Sequence, residues 1–247
     1  MTLRVLFAVL VLGLLVGCVS ADKKTDQAEV HFMLGVSYLQ DNNATQALKE
    51  FLWAAEIDDD DARLQAALGQ AYFMKGAYSD AERHYLKALK LDRDNPKYQN
   101  NLAALYMQWE RWDDAMGYFY KAATNLLFPQ AEVAWTGYGY ALFKKGEYVE
   151  AIEAYIKAID QNWRYPQAYV RRGEAFHALG KPGKAISDYR EALKLAPNYA
   201  LAHYNFALSS MKLRDKESAV RHFAEVIRLA PDSELARQSK SYLLILE

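Results

Sequence analysis

Five histidines, one cysteine and a run of four aspartates are the residues of this 247-residue chain with the most chemistry to offer. The histidines, His31, His84, His177, His203 and His222, are spread along the chain rather than clustered. Glu174 and His177 stand three residues apart, the spacing at which one helix presents a carboxylate and an imidazole to a di-iron centre. Such a centre needs that pair twice, with further glutamates, and the chain offers no convincing second copy. Asp58 to Asp61 matches a calcium loop in charge alone, because the required glycine and closing glutamate are missing; it reads as a solvated turn. There is no H-E-x-x-H, no glycine-rich phosphate loop and no G-x-S-x-G. A single cysteine excludes an intramolecular disulfide framework and every multi-cysteine metal site. These residues predict a chain that is not an enzyme, with no catalytic residue, no metal, no cofactor and no small-molecule substrate.

Composition narrows the class further. Half of the residues are apolar and a quarter are charged, the balance of a globular protein rather than a disordered one. A net charge of −1 excludes the overall basicity of a dedicated nucleic-acid binder. Arg4 precedes an apolar stretch from Val5 to Val16. As a helix it would span roughly 18 Å, too short for a hydrocarbon core of about 30 Å. A short positive region, a short apolar region and small residues after it describe a secretory signal peptide. The segment ends in Leu15-Val16-Gly17-Cys18, which resembles a bacterial lipobox. That resemblance implies cleavage before Cys18, the only cysteine, and attachment of acyl chains to it. Two or more chains anchor a protein stably where one is marginal. Val19 after the cysteine, by analogy with lipoprotein sorting, implies the outer membrane, facing the periplasm. The expected organisation begins with a signal peptide over 1–17, then the lipidated cysteine and a polar spacer over 18–27.

The rest of the chain repeats one pattern six times. A small residue (Gly35, Gly69, Ala103, Gly139, Gly173, Ala207) is followed twelve positions later by alanine (Ala47, Ala81, Ala115, Ala151, Ala185, Ala219). Four positions on comes an aromatic: Phe51, Tyr85, Phe119, Tyr155, Tyr189 or Phe223. The interval is 34 residues except for 36 between the third and fourth copies. This resembles the tetratricopeptide repeat (TPR), W-x₂-L-G-x₂-Y, then A-x₃-F, then P. The copy from Trp135 through Gly139, Gly146, Tyr148, Ala151 and Tyr155 to Ala158 is the clearest. Pro197 and Pro231 close the fifth and sixth copies; the first four lack that proline, and Arg172 and Ser210 replace the usual leucine and tyrosine. The resemblance implies an all-α solenoid of six helical hairpins, at 28–61, 62–95, 96–131, 132–165, 166–199 and 200–233. Glu234 to Glu247, with Leu235, Tyr242, Leu243 and Leu246 at helical spacing, is expected to cap it. Gly76, Gly146 and Gly180 fall where each hairpin turns, a place for positive φ.

In this family a groove is lined by first-helix residues at repeat positions 2, 5, 9, 12 and 13. Carried onto this sequence, the resemblance implies partner-binding residues Phe32, Val36, Leu39, Phe73, Met74, Asn100, Met107, Tyr140, Phe143, Tyr204 and Met211. That lining is mostly apolar and departs from a Lys/Asn/Arg carboxylate clamp, since Val36 replaces an asparagine. It suits apolar side chains of a protein segment; under tight curvature the same residues would instead be core. Trp112 occupies a repeat aromatic position and is expected in the core, whereas Trp109 and Trp163 are candidates for exposed contact. Asn100-Asn101 opens the third copy, and Asn125-Leu126-Leu127-Phe128-Pro129 carries the two-residue insertion after it. Together they resemble the six-repeat lipoproteins of type IV pilus biogenesis. That resemblance implies a pilotin whose partner is the outer-membrane secretin, with the membrane reached through the N-terminal lipid and no nucleic acid bound. The alternative is a general envelope adaptor that recruits proteases or cell-wall enzymes.

Overall fold

Apolar residues at alternating spacings of three and four predict helices throughout, and helices are what form. The computed structural model describes residues 26–246, so the expected signal peptide and Cys18, the residue expected to be acylated, lie outside the described residues. Among the described residues there are thirteen helices and no strands. They are α1 (26–40), α2 (Ala44–Ile57), α3 (Ala62–Met74), α4 (Tyr78–Leu91), α5 (Pro96–Gln108), α6 (Trp112–Thr124) and α7 (Ala131–Lys144). The chain continues with α8 (Tyr148–Gln161), α9 (Pro166–Ala178), α10 (Pro182–Leu195), α11 (Ala200–Lys212), α12 (Lys216–Leu229) and α13 (Glu234–Leu246). Two compact units divide within α5, the first ending at Leu105 and the second beginning at Tyr106.

Every hairpin closes with the same backbone device. The amide three residues past the end of the first helix donates to the carbonyl five residues back: Asn43 to Tyr38, Ala77 to Tyr72, Arg111 to Tyr106, Glu147 to Leu142, Lys181 to Phe176 and Asp215 to Ser210, at 2.8–3.0 Å. This is the Schellman closure, and it needs a left-handed residue just before the donor. Gly76, Gly146 and Gly180 supply it with φ of 74°, 83° and 70°. The other three turns place Asn42, Glu110 and Arg214 in the same conformation, with φ of 59°, 59° and 61°. The turn is thus dictated by the closing bond, and the side chain there is tolerated at a cost of about 1–2 kcal/mol where it is not Gly or Asn.

Packing within each hairpin rests on an aromatic ring laid against a residue without a side chain. A Cβ built on Gly35 would sit 2.4 Å from the Phe51 ring, one on Gly69 2.8 Å from Tyr85, one on Gly139 2.7 Å from Tyr155 and one on Gly173 2.4 Å from Tyr189. Those rings are fully buried or nearly so. In the first unit Phe51 joins Ala47, Ala54, Leu64, Leu68 and Ala71 in one core cluster. In the second, Tyr189 packs with Val170, Ala185, Ala192, Ala202 and Phe206. Phe223 ends the series, stacked on Tyr242 of α13 at 5.1 Å. Leu243 and Leu246 pack beside it.

A second, polar set of contacts recurs at the fourth repeat position. Gln65 donates to the Asp59 carbonyl and receives His84 at 2.8 Å. His203 bonds the Pro197 carbonyl at 2.9 Å and His222 at 2.8 Å. His31 reaches Glu50 at 2.7 Å. Two of these ties therefore hold the preceding turn as well as the second helix of their own hairpin. The fifth copy does the same task differently: Arg172 makes a two-pronged bond to buried Asp188 at 2.9 and 2.7 Å. That pair explains why arginine stands where leucine is usual. Asp58 to Asp61 is more than a solvated turn, since Asp61 caps α3 through Arg63 N and Asp59 holds Gln65 and Lys87.

Two substitutions of opposite sign test this account. Gly173→Ala forces a methyl into a ring that cannot move and should destabilise by about 1–3 kcal/mol. Arg214→Gly relieves a left-handed side chain and should stabilise by about 0.5–1 kcal/mol after the entropy of glycine is counted. Urea denaturation midpoints with an unchanged slope measure both.

Candidate partner-binding clefts

With the rings fixing how paired helices cross, the outward-turned residues of the first helices are left to form clefts. In the first unit Phe32, Val36 and Leu39 of α1 face Ala66, Ala67 and Gln70 of α3 and Tyr98 and Asn101 of α5 across a cavity of about 510 Å³. Its surface is chiefly apolar. Arg63 stands at one side, its guanidinium 5.0 Å from the Phe32 ring centroid and paired with Glu29 at 2.9 Å and Asp61 at 2.7 Å. Lys97 is the other cation on the lining.

The second unit has a smaller cleft of about 190 Å³, where Phe143 of α7, Glu174 and His177 of α9 and Asn205 and Leu208 of α11 converge. Here the side chains are wired together. Arg171 bonds Glu174 at 2.9 Å, and Asn205 donates to the other Glu174 oxygen at 2.8 Å. His177 meets the Ser209 hydroxyl at 2.7 Å; burial, aided by Lys212, pushes its pKa down, which keeps the ring neutral near pH 7. Tyr140 stacks parallel to Phe143 at 6.3 Å and lies between Arg171 (4.3 Å) and Lys144 (5.5 Å). Glu174 and His177 thus have protein partners. Among the described residues no three of His, Cys, Asp and Glu are placed to hold a metal ion.

The expected contact residues fall into five groups. Phe32, Val36 and Leu39 come together in the first cleft, and Tyr140 and Phe143 in the second unit form one aromatic pair. Phe73 and Met74 sit at the end of α3 away from the first cleft, Phe73 against Tyr78 at 6.0 Å and Met74 exposed. Asn100 and Met107 are half-buried on α5, and the Asn100 side-chain oxygen is buried with no hydrogen-bond partner. Tyr204 and Met211 belong to the cluster beneath α13, and the Tyr204 hydroxyl bonds Gln238 at 2.7 Å. None of the eleven is fully buried.

Sequence reasoning missed the sixth repeat position. Ala67, Asn101 and Asn205 line the two clefts from that position, and Arg171 orients Glu174 from it. The available signal was polarity: asparagine or arginine stands there in three of the six copies, one residue after a position read as groove.

Comparison with known proteins bears on the fold. Family models described as TPR repeat match residues 69–108 and 139–180, and two described as Tetratricopeptide repeat match 166–199 and 200–233, together more than half of the chain. PilF of Pseudomonas aeruginosa is similar with a TM-score of 0.75 at 20% identity, covering 89% of this chain and 99% of that one. PilW, described as a widely conserved type IV pilus biogenesis factor, is similar with a TM-score of 0.77 at 18% identity, over 85% and 97%. At these identities the likeness is one of fold. The TPR repeat-containing thioredoxin TTL4 of Arabidopsis thaliana is 30% identical over 99 residues, 40% of this chain and 14% of that protein. The chain therefore spans a small fraction of that curated relative.

Tryptophan exposure separates contact candidates from core. Trp163 is 59% exposed and Trp135 is 7% exposed, while Trp109 and Trp112 are half-buried. In variants keeping one tryptophan, iodide should quench Trp163 several-fold more strongly than Trp135. Equal Stern–Volmer slopes would contradict the placement.

Proposed function

The chain belongs to the tetratricopeptide repeat family, and on that footing we propose that it is a lipid-anchored scaffold that binds envelope proteins. Its partner in this reading is the secretin of a type IV pilus machine, which it serves as a pilotin-like factor. The observation that carries the proposal is the open apolar cleft of the first unit. Phe32, Val36 and Leu39 are only half-buried in a cavity of about 510 Å³, although their apolar surface would gain from cover. Burying one such side chain is worth about 1.5–3 kcal/mol, so three of them contribute strongly to holding a segment of another protein.

The pilus assignment draws on three supports. One is the likeness to PilF and PilW over nearly their whole lengths. Another is the Asn100-Asn101 start with the Leu126 to Pro129 loop. The third is the lipobox-like run ending at Cys18. No helix among the described residues is long and apolar enough to cross a membrane, and acylation at Cys18 would supply the attachment. The proposed role is non-catalytic.

Pull-down of tagged protein from detergent-solubilised envelopes, read by mass spectrometry, should enrich a secretin. Phe32→Glu with Val36→Glu should cut that recovery at least about ten-fold, since two apolar contacts are replaced by unpaired charges. Tyr140→Glu with Phe143→Glu tests the second cleft in the same assay. Hydrolases or proteases recovered without a secretin would favour the general adaptor instead. Cys18→Ser should abolish labelling by radioactive palmitate and release the protein from membranes; retained labelling would refute the anchor.

A further inference from the structure

On another side of α11 from the cleft that holds Asn205 and Leu208, the second unit has a depression with a different character. Arg190 and Lys194 of α10, His203 and Phe206 of α11, and Arg221 and His222 of α12 surround a space of about 500 Å³. Three of these side chains are cations, and no carboxylate shares the lining. Lys194 is neutralised by Glu191 at 2.7 Å. Arg221 hydrogen-bonds only the neutral Ser218 hydroxyl, at 3.2 Å, with Asp215 acting on it through space, and neither Arg221 nor Arg190 has an ion pair within 4 Å among the described residues. Two guanidinium charges are therefore left facing one space in a chain whose net charge is −1.

The imidazoles add a proton site. The Pro197 carbonyl can only accept, so the bond to it at 2.9 Å places the hydrogen of His203 on Nε2. His203 Nδ1 is then a lone pair and accepts from His222 Nδ1 at 2.8 Å. His222, lying flat on Phe206 at 3.9 Å, keeps an unprotonated Nε2 while it is neutral. Burial first, then His203 and Arg221, push its pKa down to about 4, against the opposing pull of Glu225 and Asp215.

We propose that this cleft binds a phosphate group between Arg190 and Arg221, with His222 lining the same space and sensing the bound charge. The charge balance favours phosphate over carboxylate. Two guanidiniums without an ion pair within 4 Å suit the roughly −1.5 to −2 that a phosphomonoester carries at pH 7, whereas a single carboxylate would engage the charge of only one. Guanidinium forks also suit phosphate oxygens geometrically. The phosphate could be free or the headgroup of a lipid. The site is separate from the partner clefts and does not depend on their assignment.

The test uses the full chain carrying Cys18→Ser, so that no acyl chain contributes. NMR follows the His222 ring proton over pH 3.5–7.5, with sodium phosphate or with sodium chloride at matched ionic strength. Phosphate should raise the His222 midpoint by about one unit, since a nearby anion favours the charged imidazole. Arg190→Gln with Arg221→Gln should weaken phosphate binding at least about ten-fold, since each change removes a charge-assisted hydrogen bond. Arg190→Lys with Arg221→Lys, which keeps charge and fold, should retain part of it. In a second arm, vesicles of phosphatidylcholine with phosphatidic acid are compared with phosphatidylcholine alone by co-sedimentation. Arginine-dependent binding to the phosphatidic acid vesicles without a response to free phosphate identifies a lipid headgroup as the source. A His222 midpoint unmoved by phosphate, together with vesicle binding that survives the double glutamine variant or is absent, overturns the proposal.

Discussion

A buried aromatic ring lying on a glycine sets the geometry of this molecule. At Gly35, Gly69, Gly139 and Gly173 the ring of the paired helix occupies the volume that a methyl group would need. Helices that meet in this way approach more closely than side chains would otherwise permit, and large-to-small complementarity fixes where they cross. The third pair varies the theme: the Phe119 ring lies on Gly137 of the following hairpin, 2.5 Å from where a Cβ would be. The ring there packs forward rather than only within its own pair. The consequence is a backbone whose crossings are settled by a handful of residues, which frees the rest of each first helix from core duty.

What is freed is used on more than one side. Along α11, Asn205 and Leu208 look into one cleft while His203 and Phe206 line another depression. The polar ties at the fourth repeat position belong to this second side. A histidine or glutamine there bonds a carbonyl six residues earlier and a side chain nineteen later, at Gln65 and again at His203. A buried polar group is costly when unpaired and specific when paired. These ties therefore fix the turn between hairpins, where apolar contact alone would permit sliding. They also put imidazoles, in place of an indole, beside the arginines of α10 and α12.

The helices and their pairing were legible in the sequence because the ring, the small residue and the alanine recur at fixed intervals, and periodicity reports directly on helix faces. The left-handed turn was legible only where glycine marks it; Glu110 and Arg214 adopt the same conformation because the closing bond demands it, and no residue type announces that. Arg172 looked like a flaw in the pattern until Asp188, sixteen residues away, was seen to hold it. The clefts were half legible. Phe32, Val36 and Leu39 meet as spacing implied, but the sixth repeat position was passed over, and with it Asn101, Arg171 and Asn205. A face is a sector of a helix, and adjacent positions 5 and 6 share the edge of that sector when the neighbouring helix is close.

The two clefts differ because their polar residues have different freedom to be satisfied internally. In the second unit Glu174 is held by Arg171 and Asn205, and His177 by Ser209, so hydrogen-bonding capacity is largely spent within the protein. A ligand entering there must exchange existing bonds for new ones, which yields little net affinity and strong discrimination. The cleft of the first unit is lined mostly by apolar groups with nothing to exchange, so its contribution is affinity with looser selection. At the far end, Tyr204 and Met211 would offer the same kind of surface, but α13 lies against them. Tyr242 stacks on Phe223 and Gln238 takes the Tyr204 hydroxyl. The last helix thus shows what the lining attracts when it can be covered: an amphipathic segment bringing an aromatic ring and one hydrogen-bond acceptor.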